Sequence, residues 1–267
     1  METIRVLPDD RTSHPSIRTI RPADLRNALA KGIDDFMEMP SHVVFLSLIY
    51  PIIGVVLARL TFGSSLIYLL FPLTAGFAFI GPFAAIGLYE MSRRREAGLV
   101  ASWRHAFDVL HSRSIHDIIG LALVLAGIFL TWLAVAHWLY HFVGLGAPKS
   151  PAHFIADVFT TRPGITLIVM GSGIGLLFGA VVLILSAISF PMLLDRDVGA
   201  MVAVATSVRA VITNPVTMAL WGLIVAALLT IGSLPFFLGL AVVMPLLGHA
   251  TWHLYRCLVV PPSSPPA

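Results

Sequence analysis

Ten histidines are the side chains in this sequence with the widest chemical repertoire, and four of them form two spaced pairs. His137 and His141 lie four residues apart, and so do His249 and His253. Because residues four apart share one face of a helix, each pair could hold a metal ion or a haem iron. The alternative is a place in the aromatic belts at the two membrane surfaces, which the neighbouring tryptophans and tyrosines favour.

The two pairs cannot form a joint site if the chain crosses a membrane as its sequence predicts. His137 and His141 fall at the outer end of one predicted span, and His249 and His253 at the inner end of another. A hydrocarbon core about 30 Å thick separates these positions. Further ligands would have to come from the same side, which leaves His153 outside and four histidines inside. Those four are His42, His105, His111 and His116.

Carboxylates at membrane depth would mark a proton or ion pathway, because burying a charge in lipid is costly. The predicted spans contain essentially none. Glu90 lies within one turn of Arg93 and Arg94, so we expect an ordinary helical ion pair there. Asp195 and Asp197 fall at the inner end of a span. An ion-driven pump with a central carboxylate is therefore not expected.

Glycines and prolines inside the spans predict packing and bending rather than a ligand site. The run Gly171-Ser-Gly-Ile-Gly175 lacks the G-x-G-x-x-G spacing of nucleotide loops. Gly171, Gly175 and Gly179 instead predict a smooth face that another helix can approach closely. Three prolines interrupt predicted spans. Broken helices of this kind can build a substrate site, but kinks that serve only packing are more common. These prolines are Pro82, Pro191 and Pro245.

The composition places the chain in a membrane. Hydrophobic residues make up 57% of it and charged residues only 12%, about half of what soluble domains carry. A soluble chain of 267 residues would need that charge to solvate its surface. The single cysteine, Cys257, excludes an internal disulfide and a cysteine-rich metal site. The basic residues lie between apolar stretches, so orientation in the membrane explains them better than binding of nucleic acid.

The predicted fold is an all-α polytopic transmembrane helical bundle with about six spans. A span needs about 20 mostly apolar residues, and six segments qualify. The second contains Pro72, Gly76, Gly81 and Pro82, so we expect it to be kinked or partly broken. A tight break separates the fifth from the sixth, which predicts a helical hairpin. The six segments are 42–60, 65–90, 117–143, 164–194, 215–233 and 235–257.

Basic residues predict the orientation of this bundle. With six spans and a cytoplasmic amino terminus, 14 of the 17 Lys and Arg residues fall on the cytoplasmic side. Only Arg59, Lys149 and Arg162 fall outside, in agreement with the positive-inside rule. The first 40 residues lack an apolar run of signal-peptide length, so we expect no cleaved leader. Both termini are therefore predicted to be cytoplasmic.

A short amphipathic helix is predicted before the first span. Leu25, Leu29, Ile33 and Phe36 recur at helical spacing, which predicts a helix lying on the membrane surface. Docking of this helix to a partner is the alternative. The predicted organisation is a flexible cytoplasmic tail (1–20), the surface helix (21–40), a six-helix membrane domain (41–257) and a Pro/Ser-rich cytoplasmic tail (258–267).

Two cytoplasmic connections are predicted to be interfacial amphipathic helices as well. They lie in residues 99–110 and 198–212, where apolar residues repeat at helical spacing. Arg95-Glu96-Ala97-Gly98 precedes the first connection, and the similar Arg196-Asp197-Val198-Gly199 begins the second. A duplicated unit of span, surface helix and span is one explanation of this match, and chance is the other.

Several stretches of the chain form longer and more specific motifs. They are 31–36 (KGIDDF), 190–197 (FPMLLDRD), 205–210 (ATSVRA), 214–215 (NP) and 245–256 (PLLGHATWHLYR). Together they resemble a bacterial family, the predicted integral membrane proteins known as domain of unknown function 2189. The similarity extends from about Pro22 over most of the chain. The resemblance implies a location in the bacterial inner membrane and implies no activity.

The sequence predicts no catalytic residue, no cofactor and no metal ligand, and we do not expect an enzyme. The favoured function is a non-catalytic accessory or interaction protein, in a membrane complex or a homo-oligomer. Its expected partners are the lipid bilayer and membrane proteins. The alternative is a transporter or channel for a small or lipid-like solute, with broken helices near Pro82 and Pro191. An enclosed cavity at these breaks would favour transport, and a filled core would favour the accessory role.

Overall fold

The computed structural model describes residues 15–39, 47–62, 66–148 and 150–260. Every regular element in these ranges is a helix, which confirms the predicted all-α fold. Two 3₁₀ helices, Ile67–Leu69 and Trp103–His111, accompany the α-helices. The α-helices are α1 (Pro22–Glu38), α2 (Ile49–Thr61), α3 (Leu70–Thr74), α4 (Gly76–Ala84), α5 (Ile86–Glu96), α6 (Ile115–Phe142), α7 (Pro151–Thr160), α8 (Arg162–Ser186), α9 (Ser189–Asp195), α10 (Ala200–Thr213), α11 (Pro215–Ser233) and α12 (Leu240–Leu258).

Four helical segments of the described residues are long and apolar enough to cross a membrane. They correspond to the second, third, fourth and fifth predicted spans. The other two predicted spans are not among them, because α2 has only 13 residues and α12 carries polar residues in its second half. Residues 42–46 of the first predicted span lie outside the described residues. The four segments are Ile67–Ala84, Ile115–Phe142, Arg162–Asp195 and Pro215–Ser233.

Two of the four segments are broken near a proline, whereas α12 is continuous through its proline. The predicted span 65–90 is divided at Ala75 and at Ala85, which follows Pro82 by three residues and confirms the expected kink. Pro191 lies in the first turn of α9, where its missing N–H leaves no helical hydrogen bond unmade. The interruption predicted at Pro245 is wrong, because α12 continues through that residue to Leu258.

The helices α11 and α12 form the predicted helical hairpin, and its turn has an unusual backbone. Gly232 and Gly239 approach so closely that a Cβ atom on Gly239 would lie 2.8 Å from the Cα atom of Gly232. Phe236 and Phe237 both have positive φ angles, 51° and 65°, which bulky residues rarely adopt. The Phe237 ring packs against Gly54 of α2, where a Cβ atom would meet it at 2.3 Å.

Helix α10 exposes its large apolar residues and buries a face of small and hydroxyl-bearing residues. In α10 the buried residues include Ala203, Thr206 and Ser207, whereas the side chains of Met201 and Ile212 are 83% and 71% exposed. A water-soluble helix shows the opposite pattern, so this arrangement is typical of a helix surrounded by lipid.

The two similar tetrapeptides adopt a similar backbone. Gly98 follows the end of α5 with a φ of +69°, and Gly199 follows the end of α9 with a φ of +76°. Glycine is the residue that enters this left-handed region without a steric cost. The geometry supports a local correspondence between the two connections. The first connection forms a 3₁₀ helix rather than an α-helix, and the second forms α10.

The predicted surface helix, α1, packs lengthwise against α12 of the same chain. Its buried residues are Leu25, Ala28, Gly32 and Asp35, so the buried face is rotated from the predicted one and Ile33 is exposed. The segment before α1 also contacts the rest of the chain. The backbone of Ile17 forms a β-bridge with that of Val259, just after α12. The Asn214 side chain forms hydrogen bonds with the backbone of Arg18 and Ile20.

Substituting Gly32→Ala should destabilise the protein, because a Cβ atom there would lie 2.7 Å from the backbone nitrogen of Ala250. Overpacking of this kind typically costs about 1–3 kcal/mol. Gly120→Ala is the matched control, since its Cβ atom would have no neighbour within 4 Å. We expect a lower Tm in mild detergent for G32A and an unchanged or higher Tm for G120A. Equal Tm values for the two variants would contradict the close packing of α1 on α12.

Candidate functional site

Three helices bring ionisable and hydroxyl side chains together at the end of the bundle that carries Arg93, Arg94 and Arg95, which we call the basic end. The fourth and last full turn of α1 faces both α5 and α12 there, and the four-residue spacing of two α12 histidines turns both rings towards α1. Ser92 and Arg95 of α5 complete the group. We call Asp35, Ser92, Arg95, His249 and His253 the Asp35 cluster.

The Asp35 carboxylate is the centre of this cluster and accepts hydrogen bonds from three side chains. The Ser92 hydroxyl donates to Oδ2 at 2.5 Å, and Nε2 of His253 donates to the same oxygen at 2.9 Å. Arg95 donates from Nη1 to Oδ1 at 2.5 Å and also lies 3.7 Å from Glu38. Asp35 is only 4% exposed, so these bonds replace nearly all the water that its carboxylate loses.

His249 lies behind Ser92 and is fully buried. Its Nδ1 atom is 2.7 Å from the Ser92 hydroxyl oxygen, whose proton is directed to Asp35. His249 therefore donates its Nδ1–H to Ser92, and Nε2 carries the lone pair. Among the described residues, Nε2 has no hydrogen-bond partner. A buried acceptor without a partner is uncommon in proteins and marks the least satisfied atom of the cluster.

Opposing effects act on the pKa of Asp35. Burial raises it, whereas the hydrogen bonds from His253 and Ser92 and the nearby histidine charges lower it, and the net pKa lies below the ordinary aspartate value. A lowered carboxyl pKa means that the ionised carboxylate is more stable in the folded protein than in the unfolded chain. The cluster therefore stabilises the fold at neutral pH, and this stabilisation is lost as the pH falls through the lowered pKa.

Two further carboxylates at the basic end also bond α12. Glu96, at the end of α5, accepts hydrogen bonds from the Trp252 ring nitrogen at 2.9 Å and from Arg256 at 3.0 Å. Asp195, at the end of α9, accepts a hydrogen bond from the Tyr255 hydroxyl at 2.6 Å. The ends of α5 and α9 are therefore held by successive residues of the same helix.

The ion pair predicted from the sequence at Glu90 is confirmed. Arg93 donates to both carboxylate oxygens of Glu90, at 2.7 and 2.8 Å, and Arg94 lies 3.9 Å away. Glu90 is buried, yet its charge is balanced within one turn of α5.

The Asp35 cluster contains a serine, a histidine and an aspartate, but their order is that of a structural network. In a nucleophilic triad the histidine accepts the serine proton. Here the Ser92 proton points to Asp35, and Ser92 and His249 are 1% and 0% exposed. The geometry can hold three helices together and can pass a proton between Asp35 and His249 through Ser92, but it gives a substrate no access to the hydroxyl.

The other histidine pair lies at the opposite end of the bundle. His137 and His141 are exposed on the last turns of α6, and the described contacts of His137 are with Tyr68 and His141. Within the described residues, no group of three or more His, Cys, Asp or Glu side chains is placed to hold a metal ion.

Sequence reasoning missed the Asp35 cluster. The histidines were noted, but Asp35, Ser92 and Arg95 were not connected with them, because 57 residues separate Asp35 from Ser92 and 218 separate it from His253. One local signal was present. Small residues at Ala28 and Gly32, continued by Asp35, form a stripe on α1 that predicts close helix packing better than the larger apolar residues do.

Comparison with known proteins finds a similarity to one family, whose description gives no activity. Residues 70–195 match the family described as "Predicted integral membrane protein (DUF2189)", which confirms the resemblance found in the sequence. The match is narrower than expected, because the similar stretches at 31–36, 205–215 and 245–256 lie outside it. No curated protein and no solved structure is significantly similar to the chain.

Substituting Asp35→Asn should destabilise the protein by about 3 kcal/mol, in the lower part of the range for a broken buried ion pair because Arg95 retains contact with water. The amide keeps the shape of the carboxylate but leaves His253 without a charged acceptor and leaves Arg95 with only Glu38, 3.7 Å away. Asp34→Asn, at the exposed neighbouring residue, is the matched control. We expect a lower Tm in detergent for D35N alone.

The same pair of proteins gives a pH test of the cluster. The difference in Tm between wild type and D35N should be largest near neutral pH, should begin to shrink below the ordinary aspartate pKa of about 4, and should vanish once the pH has fallen through the lowered pKa of Asp35. A constant difference from neutral to acidic pH would show that D35N acts through packing and not through charge.

Proposed function

We propose that this integral membrane protein is a non-catalytic accessory protein, which binds other membrane proteins or further copies of itself. The observation that supports the proposal is the filled interior around the two broken segments, at Pro82 and at Pro191. Ile188, Phe190 and Met192 are completely buried beside the second break. Within the part of the chain that the structure describes, these buried side chains occupy the place where a transporter built from broken helices would bind its solute.

The packing between the two breaks is aromatic and direct. The rings of Phe83 and Phe190 lie 6.3 Å apart, centre to centre, and so connect α4 with α9. Beside Pro82, a Cβ atom on Gly81 would already touch the end of the Met244 side chain at 3.6 Å. An apolar cleft of about 500 Å³ does exist between α6 and α8, but it opens to the outside of the bundle. The favoured role is therefore binding and not passage of a solute.

The orientation belongs to the same proposal. We place the protein in the bacterial inner membrane with six spans and both termini in the cytoplasm, so that the basic end faces the cytoplasm. The distribution of Lys and Arg residues and the four candidate spans support this placement. The length of α12, 19 residues or about 28 Å, is sufficient for a sixth span.

The connection between α5 and α6 supports a position in the headgroup layer. Leu99, Val100, Phe107 and Leu110 are all more than half exposed, although they lie next to the start of a candidate span. The Cζ atom of Arg104 lies 5.6 Å from the centre of the Trp103 ring, which keeps a positive charge near this apolar surface. An exposed apolar surface beside basic side chains is typical of a segment that contacts anionic lipid.

Reporter fusions test the orientation. Alkaline phosphatase, which is active only outside the cytoplasm, should be active when fused after Gly146 or Leu238 and inactive when fused after Gly98 or Val260. These positions follow α6, α11, α5 and α12 respectively. An inactive fusion after Leu238 would show that α11 and α12 do not cross the membrane as a hairpin, and an active fusion after Gly98 would reverse the whole topology.

Purification from native membranes tests the function. The full chain with a carboxyl-terminal affinity tag is extracted in mild detergent, and co-eluting proteins are quantified by mass spectrometry. We expect at least one membrane protein in a stoichiometric amount, absent when an unrelated multi-pass protein is tagged and expressed at the same level. An optical spectrum of the same sample tests for haem.

Recovery of this chain alone and as a monomer, after chemical cross-linking in intact membranes, would contradict the accessory role. Transport would then become the leading hypothesis, with Pro82 and Pro191 as the first residues to substitute. A haem spectrum in the purified sample would contradict the proposal of a protein without a cofactor.

A further inference from the structure

His137 and His141 form an exposed pair whose rings already lie together. They are four residues apart near the end of α6, and their ring centres are 4.6 Å apart. Helix α6 has 28 residues and is about 42 Å long, whereas the hydrocarbon core is about 30 Å thick. The last turns of α6 therefore extend into the aqueous interface, where both imidazoles meet water.

A buried aromatic platform positions the first of these rings. The Tyr68 hydroxyl lies 2.8 Å from Nδ1 of His137, and the Tyr68 ring stacks on Tyr140 with centres 4.0 Å apart and planes within 5°. The Tyr140 hydroxyl in turn donates to the backbone oxygen of Gly146, which fixes the platform to the loop after α6. Both tyrosines are at most 9% exposed.

This contact leaves one nitrogen of His137 available. When the proton is on Nδ1, His137 donates it to the Tyr68 hydroxyl oxygen, and Nε2 carries a free lone pair. Metal-binding histidines in proteins characteristically donate their second N–H to such a partner, which fixes the ring and its tautomer. The contacts of His141 in the described part of the chain are ring contacts, with Tyr68, His137 and Tyr140.

We propose that His137 and His141 bind one exchangeable divalent transition-metal ion through their imidazole nitrogens, with Tyr68 as the positioning residue. Two histidines four apart on a helix are a chelating arrangement for borderline metals, and water completes the coordination. Cu²⁺ binds most tightly of the divalent first-row ions at nitrogen ligands, with Zn²⁺ and Ni²⁺ below it. Two protein ligands make this an open, readily exchanging site and not a structural one.

The second histidine pair shows what the same spacing does in another environment. His249 and His253 are also four apart, but His249 is bonded to Ser92 and His253 to Asp35, and Arg95 already neutralises that carboxylate. A metal ion there would have to displace these partners in a fully buried place. Within the described part of the chain, the exposed pair has no carboxylate or serine partner that a metal ion would have to displace. The proposal does not depend on the accessory role.

Copper binding to the purified full chain tests the proposal. The protein carries an affinity tag without histidines, and CuCl₂ is titrated in mild detergent and followed by electron paramagnetic resonance and calorimetry. We expect one Cu²⁺ ion per chain with a spectrum of imidazole nitrogen ligation. The double variant H137A/H141A should lose this spectrum, and both side chains are exposed, so the fold should be retained and is checked by Tm.

Two further variants separate a built site from incidental copper binding. Y68F removes the hydroxyl group but keeps the stacked ring, and it should weaken binding about tenfold, the usual effect of losing a partner of a metal-binding histidine. H116A removes a single exposed histidine at the other end of α6 and should leave binding unchanged. Wild-type binding in H137A/H141A, or an equal loss in H116A, would overturn the proposal. Full affinity in Y68F would overturn the role of Tyr68.

Discussion

A carboxylate buried against two neighbouring helices determines how this bundle closes at its basic end. Asp35 could not remain ionised in that place without its three donors, because desolvation of an isolated charge costs several kcal/mol. Each donor comes from a different turn of α5 or α12, so only one position of α1 along these helices satisfies the carboxylate. Apolar contacts alone would allow α1 to slide or rotate on α12. We infer that the cluster contributes specificity of docking more than it contributes stability.

Helix α12 is the common partner of every charged helix end around it. Its second half pairs with carboxylates from α1, α5 and α9, and its first half packs with α2 and α11 at the other end. Polar residues in this helix lower its hydropathy below that of the candidate spans, yet they are the residues that connect it to the bundle. The outer helices show the reverse: only 6% of the most apolar part of Arg162–Asp195 is buried. Apolar character thus measures contact with lipid here, and polarity measures contact with protein.

The features that could be predicted from sequence are those that depend on local composition. Four candidate spans, the break after Pro82 and the last helical hairpin follow from apolar length and from proline and glycine, and all are found among the described residues. The Glu90 pair was also predictable, because its partners are three and four residues away. The Asp35 cluster was not, since its members come together only through the packing of three helices. The orientation of α1 is not predictable for a related reason. Large apolar residues at helical spacing predict a face lying on the membrane, whereas the close approach of α12 at Gly32 buries a face of small residues.

The docking of α1 on α12 also sets an order of events during biosynthesis. Asp35 is translated 218 residues before His253, which at the usual rate of synthesis is a delay of roughly 10–40 s. Two of its donors, Ser92 and Arg95, are made only 57 and 60 residues after Asp35, so α5 is available to α1 early. Completion of α12 supplies the third donor, His253, together with the helix face on which α1 packs. We therefore expect α1 to dock fully only once α12 has been made, so that the first and last helices close the bundle together.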